Sequence, residues 1–124
     1  MDAPEDLVAS IYRAFNTGDV DGALGALDPD VEWRTPASLP WSEGACRGRD
    51  GVARYFGAFA AALETASVTP ESIDGAGTGV VVARGVERAQ VRSTGRTFEA
   101  LFAHVWHVAG ERVVAMEGVA GTES

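Results

Sequence analysis

Cysteine is almost missing from this chain of 124 residues: Cys46 stands alone, so an intrachain disulfide and a cysteine-rich metal centre are both excluded. No activating neighbour is evident beside it, which makes it a passive loop thiol rather than a nucleophile. Basic side chains are also scarce, with 10 Lys and Arg against 18 Asp and Glu and a net charge of −8. That balance excludes nucleic acid as a partner, since phosphate binding needs clustered cations, and it disfavours an anionic membrane surface. No uncharged apolar run approaches the roughly 20 residues that span a bilayer, and the start "MDAPEDLV" is acidic where a secretory leader is basic. These absences predict a soluble, cytoplasmic protein. Histidine occurs only twice, at His104 and His107. No His, Cys or carboxylate cluster converges, so neither a metal nor another cofactor is expected.

Apolar residues are plentiful at 46%, enough for one compact domain over residues 1–124 with a real core and a small pocket. Leu7, Val8, Ile11, Ala14 and Phe15 recur at helical spacing, with Asp2 and Glu5 placed like a capping box and Gly18 as a stop. Val20, Ala23, Leu24 and Leu27 mark a short second helix, closed by the breaker Asp28-Pro29-Asp30. "VEWRT" alternates as a short strand, with Val31, Trp33 and Thr35 on one side. Residues 36–48, rich in Pro and Gly, form a loop that carries Trp41 and Cys46. A third helix follows, in which Val52, Tyr55, Phe56, Phe59 and Leu63 give the 3.6-residue pattern.

From about Ser67 the character changes to β-branched residues and turn signals, predicting strands near 67–74, 78–92, 97–108 and 112–119. Short "STGR" and "AGE" connections make the last three an antiparallel meander. The segment "FAHVWHV" therefore lies in a strand, where His104 and His107 point to opposite sides and cannot share a metal. One face carries Phe98, Ala100, Phe102, His104 and Trp106; the other carries Glu99, Leu101, Ala103, Val105 and His107. Both are apolar in their middle, and three helices can cover only one. A homodimer through the outer sheet face is the expectation.

Helix, "NTGD" turn, short helix, "LDPDVEW", a Pro-containing loop, "GRDGVARYF" and the strand "FAHVWHVAGERVV" together resemble the SnoaL-like group of the NTF2-like superfamily, from about Leu7 to Val119. The resemblance implies an α+β, cystatin-like cone-shaped barrel: about three helices packed into a strongly curved, mostly antiparallel sheet, with a deep apolar pocket at the open end. It implies no single reaction, because ketosteroid isomerases, polyketide cyclases and limonene-epoxide-hydrolase-like enzymes share this fold.

Ketosteroid isomerases of this type place a base Asp before the Pro that follows the first strand, where this chain has Thr35. Their oxyanion-binding acid aligns with His104, and their helix-1 tyrosine with Ile11, leaving Tyr12 one position away and facing elsewhere. The Arg, Asp and Asp of the epoxide-hydrolase set match Arg84, Val86 and Gly118, so only the cation remains. No pocket-facing Asp matches that of the polyketide cyclases. The pocket is thus expected to hold His104 as acid or base and Arg84 as anion stabiliser. An inward Arg84 requires a partner, either Glu87, Glu117 or a ligand. Trp33, Thr35, Trp41, Phe56, Phe59, Phe102, Trp106 and Met116 form the expected substrate-binding wall. The leading expectation is a cofactor-free enzyme that cyclises, isomerises or dehydrates an apolar cyclic or polyketide-like molecule by proton transfer. The alternative is a non-catalytic carrier of an apolar ligand, favoured by the missing carboxylates.

Overall fold

The computed structural model describes residues 3–36 and 44–120. Among these the chain runs α1 (Pro4–Asn16), α2 (Val20–Gly25), β1 (Leu27–Arg34), β2 (Ala45–Arg47), α3 (Gly48–Ala62), β3 (Leu63–Gly75), β4 (Val80–Val91), β5 (Thr97–Ala109) and β6 (Arg112–Ala120). The strands form one mixed sheet in the order β2-β1-β6-β5-β4-β3. β3 to β6 are an antiparallel meander, β1 joins β6 in parallel, and β2 joins β1 antiparallel. The expected α+β architecture, with three helices on a curved sheet, is what forms.

Local boundaries differ from the sequence reading in instructive ways. Helix α1 starts at Pro4 behind an extended Ala3 that makes no side-chain cap bond; Asp2 lies outside the described residues. Proline at the first helical position supplies the helical φ in advance, and Glu5 and Asp6 in the first turn favour the positive end of the helix dipole. Asp28-Pro29-Asp30 does not end a helix but lies inside β1, where the register against β6 shifts between Leu27 and Glu32. An irregular stretch of strand tolerates a proline because no ladder bond is needed from it there. The 36–48 loop also contains a strand, β2, of only three residues.

Two contacts tie helices to the sheet and its turns, and a third caps α2. The Asn16 amide, at the end of α1, donates to the Val68 carbonyl and accepts from the Val68 N–H, both at 2.9 Å. Arg92 donates to the Ala60 and Leu63 carbonyls at 3.1 Å, meeting the negative end of α3 with a cation. Asp19 caps α2 by accepting from Gly22 N–H at 2.9 Å. The bend of the sheet is written at Gly85: a Cβ there would stand 2.0 Å from the Thr69 carbonyl oxygen, beside the register shift between Pro70 and Ser72. Only glycine allows β3 to press so close to β4. The hollow side of the sheet then packs against α1 and α3, with Trp106, Leu27, Val8 and Val52 almost wholly buried.

Candidate functional site

Strand alternation places every other residue of β4 and β5 on the concave face. On β5 these are Phe102, His104 and Trp106; on β4 they are Val81, Ala83, Gly85, Glu87 and Ala89, since Ala83 pairs with His104 and Val81 with Trp106. Helix α1 lays its stripe of Val8, Ile11, Tyr12 and Phe15 across this face. A cavity of about 70 Å³ remains between them, walled by aromatics from α1, α3, β1 and β5 and by Met116 of β6. Its polar lining comes from Tyr12, Glu87 and His104, with the Trp33 and Trp106 indoles beside them.

Tyr12 is the centre of a hydrogen-bonded chain. Its hydroxyl stands 2.5 Å from His104 Nδ1 and receives the Trp106 indole N–H at 3.1 Å. A phenol has one proton, and indole is a donor only, so the hydroxyl gives its proton to Nδ1. The imidazole proton is thereby assigned to Nε2. The imidazole forms a triangle of rings with Tyr12 and Phe102, parallel to Tyr12 within 8° at 5.8 Å and stacked on Phe102 at 4.5 Å. Burial pushes the His104 pKa down to about 4, so the ring is neutral at pH 7 and remains a hydrogen-bond donor through Nε2. Burial also pushes the Tyr12 phenol far above its ordinary value, against a smaller opposite effect of the Trp106 N–H. The pair stays uncharged.

Glu87 differs from both. It lines the cavity, its Oε2 is buried without a hydrogen-bond partner, and burial raises its pKa above the usual carboxylate value. The Trp33 indole nitrogen is likewise buried and unpartnered, while its ring packs edge-on against Phe56 and Trp106, both at 5.8 Å.

Of the residues expected from sequence, Trp33, Phe56, Phe59, His104, Trp106 and Met116 line the cavity together. Phe102 backs the His104 ring. Thr35 lines a smaller neighbouring recess with Cys46 and Tyr55, and its N–H donates to Gly44 at 2.9 Å. Trp41 lies outside the described residues. Arg84 is a correction: it is exposed on the convex face, paired with Ala103, because the inward residues of β4 are the odd-numbered ones. Neither Glu87 nor Glu117 turns toward it; Glu87 faces the cavity and Glu117 is exposed. Tyr12 is the second correction, since it faces the pocket rather than away. His107 is exposed, opposite in direction to His104.

Tyr12 and Glu87 are the polar residues that the sequence reading missed. Tyr12 had a signal, lying four residues after Val8 and three before Phe15 on the apolar stripe. Glu87 had one in the parity it shares with Val81, Ala83 and Ala89. Gly118 sits opposite His104, and being glycine it adds no acid to the pocket. Among the described residues, no group of three or more His, Cys, Asp or Glu is placed to hold a metal ion, and no helix is long and apolar enough to cross a membrane.

The SnoaL-like domain model matches residues 8–116. No match was found among curated proteins. An NTF2-like protein of unknown function from Burkholderia pseudomallei superposes with a TM-score of 0.86 at 28% identity, over 97% of this chain and 92% of that one. IdmH from Streptomyces antibioticus, provisionally a polyketide cyclase, gives 0.81 at 24% identity over 97% and 93%. TerC, co-crystallised with polyporic acid, gives 0.84 at 23% over 95% and 92%.

Proposed function

The chain belongs to the SnoaL-like domain family, and on that footing we propose that it is a cofactor-free enzyme that moves a proton on a small, largely apolar cyclic molecule. The observation that carries this reading is the Tyr12–His104 pair, hydrogen-bonded at 2.5 Å inside an aromatic cavity. A neutral imidazole whose Nδ1 is occupied by Tyr12 acts through Nε2–H. It stabilises the oxyanion that develops when a carbon next to a carbonyl loses its proton. The Glu87 carboxylate, on the same cavity, accepts that proton; returned at another carbon it gives isomerisation, and where the enolate carbon instead attacks a second carbonyl, the proton goes to the resulting alkoxide and the net change is cyclisation. Arg84 has no part in this chemistry. The carrier alternative drew on the want of a pocket carboxylate, and Glu87 weakens it. Two neighbours in fold, TerC co-crystallised with polyporic acid and IdmH, provisionally a polyketide cyclase, support a small-molecule pocket.

The test is deuterium exchange from heavy water into enolisable single-ring ketones, followed by NMR. The protein should accelerate exchange, and His104→Ala should reduce the acceleration by about a hundredfold or more. Exchange no faster than in buffer, or unchanged in the variant, overturns the reading. We also propose a homodimer through the convex sheet face, where Leu101 is 64% and Val119 50% exposed. Sedimentation of the native chain and of Leu101→Lys tests it: a dimer that turns monomeric supports it, and a native monomer refutes it.

A further inference from the structure

Two residues that line the cavity each carry a buried polar atom with no partner among the described residues: Trp33 Nε1 and Glu87 Oε2. A buried polar atom left unpaired costs about 1–3 kcal/mol, so each is an unmet demand on whatever enters. The demands are chemically opposite. Indole N–H only donates, so it requires an acceptor; Oε2 accepts whether the carboxyl is ionised or carries its proton on Oε1, so it requires a donor. The Tyr12 hydroxyl cannot serve either, being already engaged with His104 and Trp106.

Size narrows the ligand further. Roughly 10–15 Å³ of cavity volume takes one water-sized group, so the observed 70 Å³ encloses about one ring. Apart from the His104 Nε2–H, a second donor, the remaining wall is aromatic and aliphatic and offers no counter-charge to an ionised ligand.

We propose that Trp33 and Glu87 are the specificity pair of this cavity, and that its ligand is an uncharged single ring, or one ring of a larger molecule, bearing one carbonyl-type acceptor and one hydroxyl donor. This deepens the proton-transfer reading above and rests on it for the reaction, but not for binding. A hydroxy-ketone ring meets both demands at once, with its hydroxyl on Glu87 and its carbonyl oxygen, which has two lone pairs, accepting from both the Trp33 N–H and the His104 Nε2–H. A plain ketone or a plain alcohol leaves one of the two atoms unpaired.

Isothermal titration with cyclohexanone, cyclohexanol and the positional isomers of hydroxycyclohexanone reads this directly. At least one isomer should bind about tenfold or more tightly than both single-function rings. Trp33→Phe should cut its affinity to near that of cyclohexanol, and Glu87→Gln should weaken it less, because an amide oxygen still accepts. Thermal melting of each variant, and the preference within the native protein alone, keep the result independent of folding. The proposal fails if no probe binds, if the single-function rings bind as tightly as every isomer, or if a folded Trp33→Phe keeps the preference. Preference without deuterium exchange would instead remove the enzymatic reading and leave the specificity pair standing.

Discussion

The two faces of strands β4 and β5 carry similar residue types to opposite ends. On the convex face the charges are solvated: Arg88 and Glu99 meet at 2.7 Å with more than half of each side chain exposed, and Arg84 and His107 are also open to water. On the concave face the ionisable groups are fewer, half-buried or buried, and shifted toward their neutral forms. Water makes an outer charge cheap and nearly inconsequential, whereas its exclusion inside turns a single imidazole or carboxyl into a determinant of chemistry. Period-2 alternation alone separates the two regimes, one residue apart in sequence.

The comparison breaks most severely at Trp106. Trp106→Ala should cost about 3–5 kcal/mol by denaturant unfolding, through the cavity left and the lost donor to Tyr12. Gly85→Ala comes next, since its Cβ cannot share space with the Thr69 oxygen; about 1–3 kcal/mol and a flattened bend are expected, read from chemical melting and from loss of ligand binding. Tyr12→Phe should remove about 1–2 kcal/mol, because it orphans both the Trp106 N–H and His104 Nδ1.

Acidity sharpens the contrast. An imidazole at about 4 in the fold and 6.5 in the unfolded chain lets the unfolded state take up a proton first, so stability falls as pH drops from about 6.5 to about 4 and then levels. Glu87 runs the other way: its raised pKa makes the folded state protonate first, adding stability as pH falls through that value. Tyr12 contacts the His104 ring and Glu87 lines the same cavity; burial holds the phenol protonated and raises the pKa of the Glu87 carboxyl. Glu87→Gln should therefore steepen the acid loss, measured as the midpoint of urea unfolding against pH. The smallest effect belongs outside, where Arg84→Ala should change stability by no more than about 0.5 kcal/mol and leave ligand affinity untouched.

Much of this was legible in the sequence because alternation and turn chemistry are local. The histidines' opposite directions follow from "FAHVWHV" being a strand, and the aromatic wall follows from the same parity. Arg84 was misplaced by reasoning from matched positions in related enzymes instead of parity, although its neighbours four apart, Arg84 and Arg88, already share an exposed face. Tyr12 was lost to a one-residue offset on a helix, where one step turns a side chain by about 100°. Strand β2 left no trace in sequence because three residues among Pro and Gly carry no periodicity. Glu87 was obscure for a physical reason: a carboxyl on an apolar face contradicts the pattern that identifies the face, and such contradictions concentrate where a protein binds something.

The Asn16 clamp on Val68 bears on the Tyr12–His104 hydrogen bond without touching it. Each residue of helix advances 1.5 Å along its axis, so a slide of a single residue would pull the Tyr12 hydroxyl out of reach of His104. Asn16 lies one turn further along the same helix and grips both polar atoms of one peptide position on β3. It behaves as an alignment pin, setting the depth to which the phenol enters the barrel. Asn16→Asp would keep the shape and lose the donor half of the grip, so the distance between Tyr12 and His104 can be tuned by a side chain that is hydrogen-bonded to neither of them.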